Sequence, residues 1–452
     1  MGTTKIWLSI ALLGLLLLPA PARAIDHRGE GRKTKARDLA VEPRRFELAN
    51  GLTVLLAPDP TVSSVLVWIT YRAGTVYEPA GRSGMAHLVE HVMASGPTPD
   101  TDYAAMLERR RARYFNAVTT AEIMQFETVV PAEELPLALW TVADRMGSLP
   151  PLIDDKLVEY NRRVVIQERA IRDVDAPYGL VREVLYDKLF AAPHPMHGAV
   201  IGTVAELKQV TGEDVRSFIG RLLVPANAIV TVVGRFDPEK TRALVEESLG
   251  RLPAGERAKM PTFKPLSLSR VAMTSERISR EPAVVLAWRV PVAHDQAAVL
   301  DLGAQLLSFL TDGVGGMRLS AGLHENESES LFMLNLTVPY DETIESVQSD
   351  AEGFLRMLTR RQMPLDLLMA ANIALDREAL FELDTLEGRA GRLSSLERLV
   401  GARANVAKDC EAHWLLDPAE VRELAEGWLT TPRVVLHARP DHPREARKVH
   451  DL

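Results

Sequence analysis

The sequence predicts an α+β protein made of two halves with a similar plan. Segments that alternate apolar and polar residues, as β-strands do, are interspersed with segments of helical spacing. The order strand, helix, strand, helix occurs on both sides of a stretch rich in proline and charge at residues 253–270. This parallel rests on the order of the elements rather than on residue identity, so it predicts a repeated architecture and no more.

The length and composition narrow the class of protein. The chain has 452 residues, a formal net charge of −8, 46% hydrophobic and 25% charged residues, which fits a soluble globular protein of about two to three domains. It has no stripe of lysine and arginine interleaved with aromatic residues, so we expect no nucleic-acid partner. Because Cys410 is the only cysteine, an intrachain disulfide and a cysteine-based metal site are both excluded.

Residues 1–24 have the pattern of a secretory signal peptide. Lys5 precedes a short apolar run, and small residues surround a cleavage position after Ala24. An uncleaved membrane anchor is the alternative, but the run is shorter than the roughly 20 residues that span a bilayer. We therefore expect a periplasmic or secreted protein with no membrane span after cleavage.

The elements of the first half lie within residues 44–252, after a charged leader without periodicity at residues 25–43. Asn50-Gly51 marks a hairpin turn, and a β-branched strand then ends at Gly74. A helix from about Ser83 to Ala94 follows. The remaining elements of this half are a strand pair at 114–131, helices at 132–149 and 154–173, and a strand, turn and helix at 226–252.

The second half is predicted to begin after a linker at residues 253–270 and to occupy residues 271–452. It closes with further helices and a last strand. Its elements are, in order, a strand at 282–291, a helix at 295–310, a strand at 330–339, a helix at 344–361 and the last strand at 432–440.

The segment His87-Leu88-Val89-Glu90-His91 predicts a metal site on the first of these helices. Residues four apart share a helix face, so both imidazoles can bind one ion, and neutral imidazole is a good zinc ligand. Glu90 stands beside the ion, where a carboxylate can take a proton from the attacking water. The pattern H-x-x-E-H is the inverted form of the zinc-protease motif H-E-x-x-H. The alternative is three solvated residues on an amphipathic helix, but the apolar flanks would make their burial without partners costly.

The stretch from Tyr71 to Gly96, YRAGTVYEPAGRSGMAHLVEHVMASG, resembles the active-site segment of the M16 peptidases, the group of pitrilysin, insulin-degrading enzyme and mitochondrial processing peptidase. That family places a glutamate ligand 77 residues after the second histidine, which is Glu168 here. The resemblance therefore implies one zinc per chain held by His87, His91 and Glu168, with Glu90 as the catalytic base. Without the resemblance, Glu168 can equally be a charged surface residue of a helix that is rich in arginine. Two histidines and one glutamate would also bind divalent metals other than zinc.

The resemblance extends to other segments. FNAVTT resembles the family's edge strand that pairs with a substrate peptide, which implies Asn116 and Ala117 as substrate-binding residues; plain sheet structure is the alternative. His194 and His197 are a second pair of possible ligands, and the resemblance makes them structural.

Two departures from the family pattern affect the expected activity. The family usually has a helper glutamate seven residues before the ligand glutamate, and Asn161, which cannot carry the charge, occupies that position here. The family also has an arginine and a tyrosine in the second half that contact substrate. No arginine lies between Arg318 and Arg356, and Tyr340 is the only tyrosine of this half, so the pair cannot be assigned.

The resemblance implies two α+β domains, each an antiparallel sheet with helices on one face, facing each other like a clamshell as in the LuxS/MPP-like metallohydrolase fold. It implies a zinc metalloendopeptidase that hydrolyses unfolded peptides in the enclosed chamber, with reduced activity when alone. A homodimer or a heterodimer with a second M16-like subunit is the implied assembly. A non-catalytic binding or assembly subunit is the alternative, which Asn161 favours and the intact zinc set opposes.

Overall fold

The structure is a computed structural model. It describes residues 42–96, 103–174, 180–190, 192, 194, 196–261, 271–275, 282–290, 297–298, 301–306, 319–324, 326–327, 329–339, 341–358, 365–416, 419, 421–423, 426 and 433–438. The predicted signal peptide, residues 25–41 of the leader, residues 262–270 of the linker and Tyr340 lie outside the described residues. The predicted domain limits therefore stay predictions. Residues 41–452 form one compact unit.

The strands group into two sheets. They are β1 (Arg44–Glu47), β2 (Thr53–Pro58), β3 (Ser64–Tyr71), β4 (Tyr114–Thr119), β5 (Met124–Pro131), β6 (Ala228–Gly234), β7 (Val271–Ser275), β8 (Ala283–Val290), β9 (Leu319–His324), β10 (Ser330–Thr337) and β11 (Val434–Ala438). Two of them, β7 and β9, fall outside the predicted elements.

The helices lie mostly where helical spacing predicts them. They are α1 (Met85–Ser95), α2 (Tyr103–Arg109), α3 (Leu135–Gly147), α4 (Asp155–Arg169), α5 (Val181–Leu189), α6 (Val204–Leu207), α7 (Gly212–Leu222), α8 (Pro238–Leu249), α9 (Ile344–Leu358), α10 (Leu365–Asp384), α11 (Leu386–Val400) and α12 (Val406–Glu411). Residues 297–298 and 301–306 are also helical. None of the helices in the described part of the chain is both long and apolar enough to span a bilayer.

The two sheets repeat one topology, which confirms the predicted α+β fold of two similar halves. The first has the order β1-β2-β6-β3-β5-β4, and the second has the order β7-β11-β8-β10-β9. Without β1, each strand of the first sheet has a counterpart in the second. Neighbouring strands are antiparallel except β2 with β6 and β7 with β11, which are parallel in both copies. The repeat therefore includes the one departure from a purely antiparallel sheet.

The central strand β3 is buried on both faces. Val65, Val67 and Ile69 belong to the core of the first half, together with the apolar sides of α1, α3, α4, α7 and α8. Trp68 points to the opposite face, as alternation along a strand requires. That face is covered by α11 from the second half, where a Cβ on Gly391 would lie 3.5 Å from the Trp68 ring. Helices of both halves therefore enclose this sheet, which is why β3 is buried throughout and mostly apolar.

Polar contacts hold α11 against the first sheet. Arg45 donates two hydrogen bonds to the carboxylate of Glu397, at 2.9 and 3.0 Å. The hydroxyl groups of Thr231 and Ser394 lie 2.7 Å apart in the buried contact. Because these groups are paired, the polar side chains of α11 can be buried without a large desolvation cost.

The start of α1 is set by a close approach of two backbones. Gly84 has a φ of +82°, and a Cβ there would lie 2.4 Å from the carbonyl oxygen of Ile201. Glu78 accepts hydrogen bonds from the backbone N–H groups of Gly84 and Ala86, at 3.3 and 2.7 Å. These hydrogen bonds satisfy N–H groups at the start of the helix that have no partner within it. The contacts of Gly84 and Glu78 therefore fix the position at which the predicted helix begins.

Replacing Gly84 by alanine tests this constraint. We expect Gly84→Ala to lower the free energy of unfolding by about 2 to 5 kcal/mol, because it combines an unfavourable φ with a backbone clash. Gly81→Ala is the matched control, since Gly81 has a φ of +76° but no atom within 4 Å of an added Cβ. Its expected cost is about 1 to 2 kcal/mol. Urea denaturation compares the two, and equal costs would contradict the close approach.

Candidate functional site

Helix α1 presents the three polar residues of the motif to a cavity. His87 and Glu90 are 9% and 7% exposed, so the motif is not a solvated helix face. The rings of His87 and His91 have centroids 4.7 Å apart and are nearly perpendicular, at 88°. Both imidazoles lie on the helix face that residues four apart share.

Helix α4 brings Glu168 to the two histidines. Its Oε2 lies 3.0 Å from Nε2 of His91 and 3.7 Å from Nε2 of His87. One ligand atom from each of the three residues lies within 4.8 Å of the others, and no other such group of three occurs among the described residues. Val158 and Val165 pack into the core on the inner face of α4 and fix how the helix sits.

The electrostatics of this group suit a metal ion. Burial lowers the pKa of His87 to about 4, so its imidazole is neutral at neutral pH. The hydrogen bond with His91 lowers the pKa of Glu168 to about 2, which keeps the carboxylate ionised. Two imidazoles and one carboxylate are the protein ligands of a common type of catalytic zinc site, which keeps its fourth position open. The residues present therefore fit zinc, and their role as ligands stays a prediction.

Glu90 has its own hydrogen-bond partner beside this group. The hydroxyl of Thr119, the last residue of β4, donates to Oε2 of Glu90 at 2.5 Å. Burial raises the pKa of Glu90. A carboxylate with a raised pKa is a better proton acceptor near neutral pH, as a general base requires.

Arg172 pairs with the other oxygen of Glu168. It lies in a π-helical turn, Ala170–Val174, that directly follows α4, and donates to Oε1 of Glu168. Oε2 is therefore the oxygen that faces the histidines. An outer partner of this kind orients a metal-ligating carboxylate.

A cavity of about 950 Å³ opens above the three residues. Strand β4 lines it with Asn116 and Ala117, and β4 is the edge strand of the first sheet. The second half contributes several residues to the same cavity, among them His324 and Arg398. The two halves therefore enclose one space around the predicted metal site, and the substrate-binding role of Asn116 and Ala117 stays a prediction.

Asn161 does not reach this cavity. Its side chain is 2% exposed and donates to Oγ of Ser95, at 3.3 Å, and to the carbonyl oxygen of Leu157, at 3.0 Å. It therefore lies in the contact between α4 and α1. A helper carboxylate at this position would have to displace these contacts.

His194 and His197 lie outside the group of three. His194 accepts a hydrogen bond at Nδ1 from the backbone N–H of Met196, at 3.1 Å. His197 Nδ1 lies 2.9 Å from the carbonyl oxygen of Phe190. Neither histidine lines the cavity. Both instead have local hydrogen-bond partners, as a structural role requires.

Sequence patterns did not single out several of the residues that line the cavity. Thr119 lies within the segment FNAVTT, and Arg172 lies one turn after Glu168, so spacing could have found both. His324 ends the unpredicted strand β9, and Arg398 lies on a helix distant in sequence. Only the packing of the two halves brings the last two to the site.

Two models of one peptidase family match the chain. Residues 53–197 match the model described as Insulinase (Peptidase family M16), and residues 209–361 match that of the Peptidase M16 inactive domain. The first matched range contains the three residues of the predicted metal site.

Curated relatives match about half of the chain. An uncharacterized zinc protease of Mycobacterium tuberculosis is 33% identical over 224 residues, which are 49% of this chain and 50% of the relative. The zinc protease PqqE of Helicobacter pylori is 28% identical over 58% of this chain and 60% of its own length. Mitochondrial-processing peptidase subunit beta of Saccharomyces cerevisiae is 26% identical over 53% of this chain and 51% of its own length. The chain thus spans about half the length of the curated relatives it matches.

Solved structures share the fold. A protease from Helicobacter pylori superposes with a TM-score of 0.79 and 20% identity over 88% of this chain and 100% of that one. The periplasmic protease PqqL from Escherichia coli superposes with a TM-score of 0.70 and 18% identity over 88% of this chain and 48% of that one. At these identities the likeness shows the fold alone.

The metal content of the purified protein tests the predicted ligands. We expect about one zinc per chain after dialysis, lost in His91→Ala, because two ligands do not replace three. His197→Ala is the matched control, since it removes an imidazole outside the group. Elemental analysis measures all three proteins. A wild type without zinc, even after reloading, would contradict the site.

The buried position of Asn161 predicts the effect of a carboxylate there. We expect Asn161→Glu to lower the free energy of unfolding by about 2 to 4 kcal/mol, because a larger charged group must enter the contact with α1. Tyr160→Glu places a carboxylate on the same helix at a residue that is 64% exposed, and we expect less than about 0.5 kcal/mol. Thermal denaturation followed by circular dichroism checks both. A stable Asn161→Glu variant would show that this position opens towards solvent.

Proposed function

The chain belongs to the M16 family of peptidases, and we propose that it is a zinc-dependent metalloendopeptidase. The observation that carries the proposal is the convergence of His87, His91 and Glu168, one ligand atom of each lying within 4.8 Å of the others. Glu90, with its raised pKa, lies on the same helix. Relatives named zinc proteases support the choice of metal.

The residues of the chain take distinct roles in this proposal. His87, His91 and Glu168 hold the zinc, which when bound polarises the scissile carbonyl and acidifies the attacking water. Glu90 takes the proton of that water and passes it to the leaving amine, as a buried carboxylate with a raised pKa can. Thr119 holds the carboxylate of Glu90 in place through its hydrogen bond.

The substrate is proposed to bind as an added strand. Because β4 is the edge of the first sheet, the backbone at Asn116 and Ala117 can pair with an extended peptide. The cavity is bounded by both halves, so a segment must be unfolded to enter it. Unfolded peptides are therefore the proposed substrates.

The export and assembly of the protein are also proposals. The pattern of residues 1–24 supports a periplasmic or secreted protein. A homodimer or a heterodimer with a second M16-like subunit is the proposed assembly. The name of the yeast relative, a subunit beta, supports a paired arrangement.

A non-catalytic binding or assembly subunit is the second candidate. The observation that favours it is Asn161, which stands in place of the family's helper glutamate and is turned away from the cavity. The complete zinc set opposes it, because a subunit without catalysis has no use for a base beside three ligands.

Glu90→Gln distinguishes the two candidates. We expect it to abolish peptide hydrolysis, by about a thousandfold or more, because an amide cannot take the proton. Zinc content and thermal stability should stay at wild-type values. Glu247→Gln, an exposed change on α8, is the control and should keep full activity. Wild-type turnover in Glu90→Gln, measured with a quenched fluorescent peptide, would refute the proposed role, and an inactive zinc-loaded wild type would favour the subunit.

A further inference from the structure

We propose that the cavity selects peptides with an acidic side chain near the scissile bond, and that Arg182 determines this specificity. The inference rests on the proposed peptidase function and extends it to a class of substrate. It follows from one cavity-lining arginine that pairs with no described residue, from the pairing of the other arginines of the cavity, and from the groups that surround that arginine.

Apart from Glu90, the proposed base, each carboxylate that lines the cavity outside the metal group pairs with an arginine. Glu122 is 2% exposed and lies 3.3 Å from NH1 of Arg398. Glu183 accepts two hydrogen bonds from Arg169, at 2.8 and 3.1 Å. These carboxylates are therefore not available to bind a basic substrate side chain.

Not every arginine that lines the cavity is paired with a carboxylate in this way. Arg172 pairs with Glu168, whose charge a bound metal ion would share. Arg182, the second residue of α5, lines the cavity, is exposed, and forms no ion pair or hydrogen bond with any described residue. Because Arg172 pairs with Glu168 and Arg398 with Glu122, Arg182 is the arginine lining the cavity that no described carboxylate pairs with.

The surroundings of Arg182 supply further groups for a carboxylate. Tyr186 lies one helical turn later on the same face of α5 and lines the same cavity. His324, at the end of β9, lines the cavity from the second half; partial desolvation, followed by the charge of Arg182, lowers the pKa of this exposed imidazole. A phenol and a neutral imidazole can each donate a hydrogen bond to a carboxylate oxygen. Arg182, Tyr186 and His324 thus form one subsite to which both halves contribute.

A guanidinium favours a carboxylate for geometric as well as electrostatic reasons. Because both groups are charged, the hydrogen bonds between them are about twice as strong as neutral ones. The paired N–H groups of the guanidinium also match the two oxygens of a carboxylate, which adds geometric specificity. A basic side chain at the same place would meet a like charge with no carboxylate to offset it. The subsite therefore discriminates by attraction and by repulsion.

A peptide series tests the specificity. Quenched fluorescent peptides of one sequence carry a single Glu, Gln or Lys at each position around the cleavage site. We expect kcat/KM to be about two- to fivefold higher for Glu than for Gln at one position, the range of an exposed ion pair, and lower for Lys. Arg182→Glu should reverse this order. Lys188→Glu makes the same charge change on α5 at an exposed residue that does not line the cavity, and should keep the wild-type order.

Binding separates the failure of this inference from the failure of the proposed function. The zinc-loaded Glu90→Gln variant, alone and combined with Arg182→Glu, is titrated with labelled Glu, Gln and Lys peptides by fluorescence anisotropy. Tighter binding of the Glu peptide that Arg182→Glu removes supports the subsite, even if the wild type hydrolyses no peptide. Hydrolysis without a preference for Glu, or with a preference that survives Arg182→Glu, overturns the inference and leaves the peptidase function standing. Absence of both hydrolysis and charge-dependent binding overturns both.

Discussion

The site depends on the packing of α1 against α4. This contact places Glu168 against two histidines that lie 77 residues or more away in sequence. It also buries His87 and Glu90, and burial sets their protonation by lowering the pKa of the imidazole and raising that of the carboxyl group. The protonation states that metal binding and general base catalysis need are therefore a consequence of helix packing.

A second contact, between α11 and the first sheet, completes the cavity. Arg398 of α11 reaches Glu122 in the turn between β4 and β5, and β4 carries the Thr119 hydroxyl that holds Glu90. The second half is thus tied to the hairpin beside the proposed base.

The helix between β8 and β9 corresponds in order to α1. Its Gln305 donates a hydrogen bond to Glu378 of α10, at 2.6 Å. In the second half, a hydrogen bond between two helices thus stands where the first half has the three predicted metal ligands.

Local patterns predicted the strands and helices with strong periodicity, and they failed where the pattern was weak. Strand β9 contains Ala321 and Gly322, small residues that give no clear alternation, so its terminal His324 could not be placed. The absence of an arginine between Arg318 and Arg356 left the second-half contribution unassigned, whereas Arg398 reaches the cavity from a later helix. Asn161 was expected on the same face of α4 as Glu168. Its side chain instead packs against α1 and donates a hydrogen bond to Ser95, so it does not line the cavity.

The sequence by itself determined the motif helix and its resemblance to a peptidase family, because spacing on a helix is a property of the sequence. The resemblance in turn implied Glu168 as a third metal ligand. Tertiary structure decided which groups share the cavity. Whether Arg182 is paired, whether Asn161 faces the site and which second-half side chains meet the substrate depend on contacts between segments far apart in sequence. Such contacts arise from the burial of sheet and helix faces against each other, and a linear pattern does not record them.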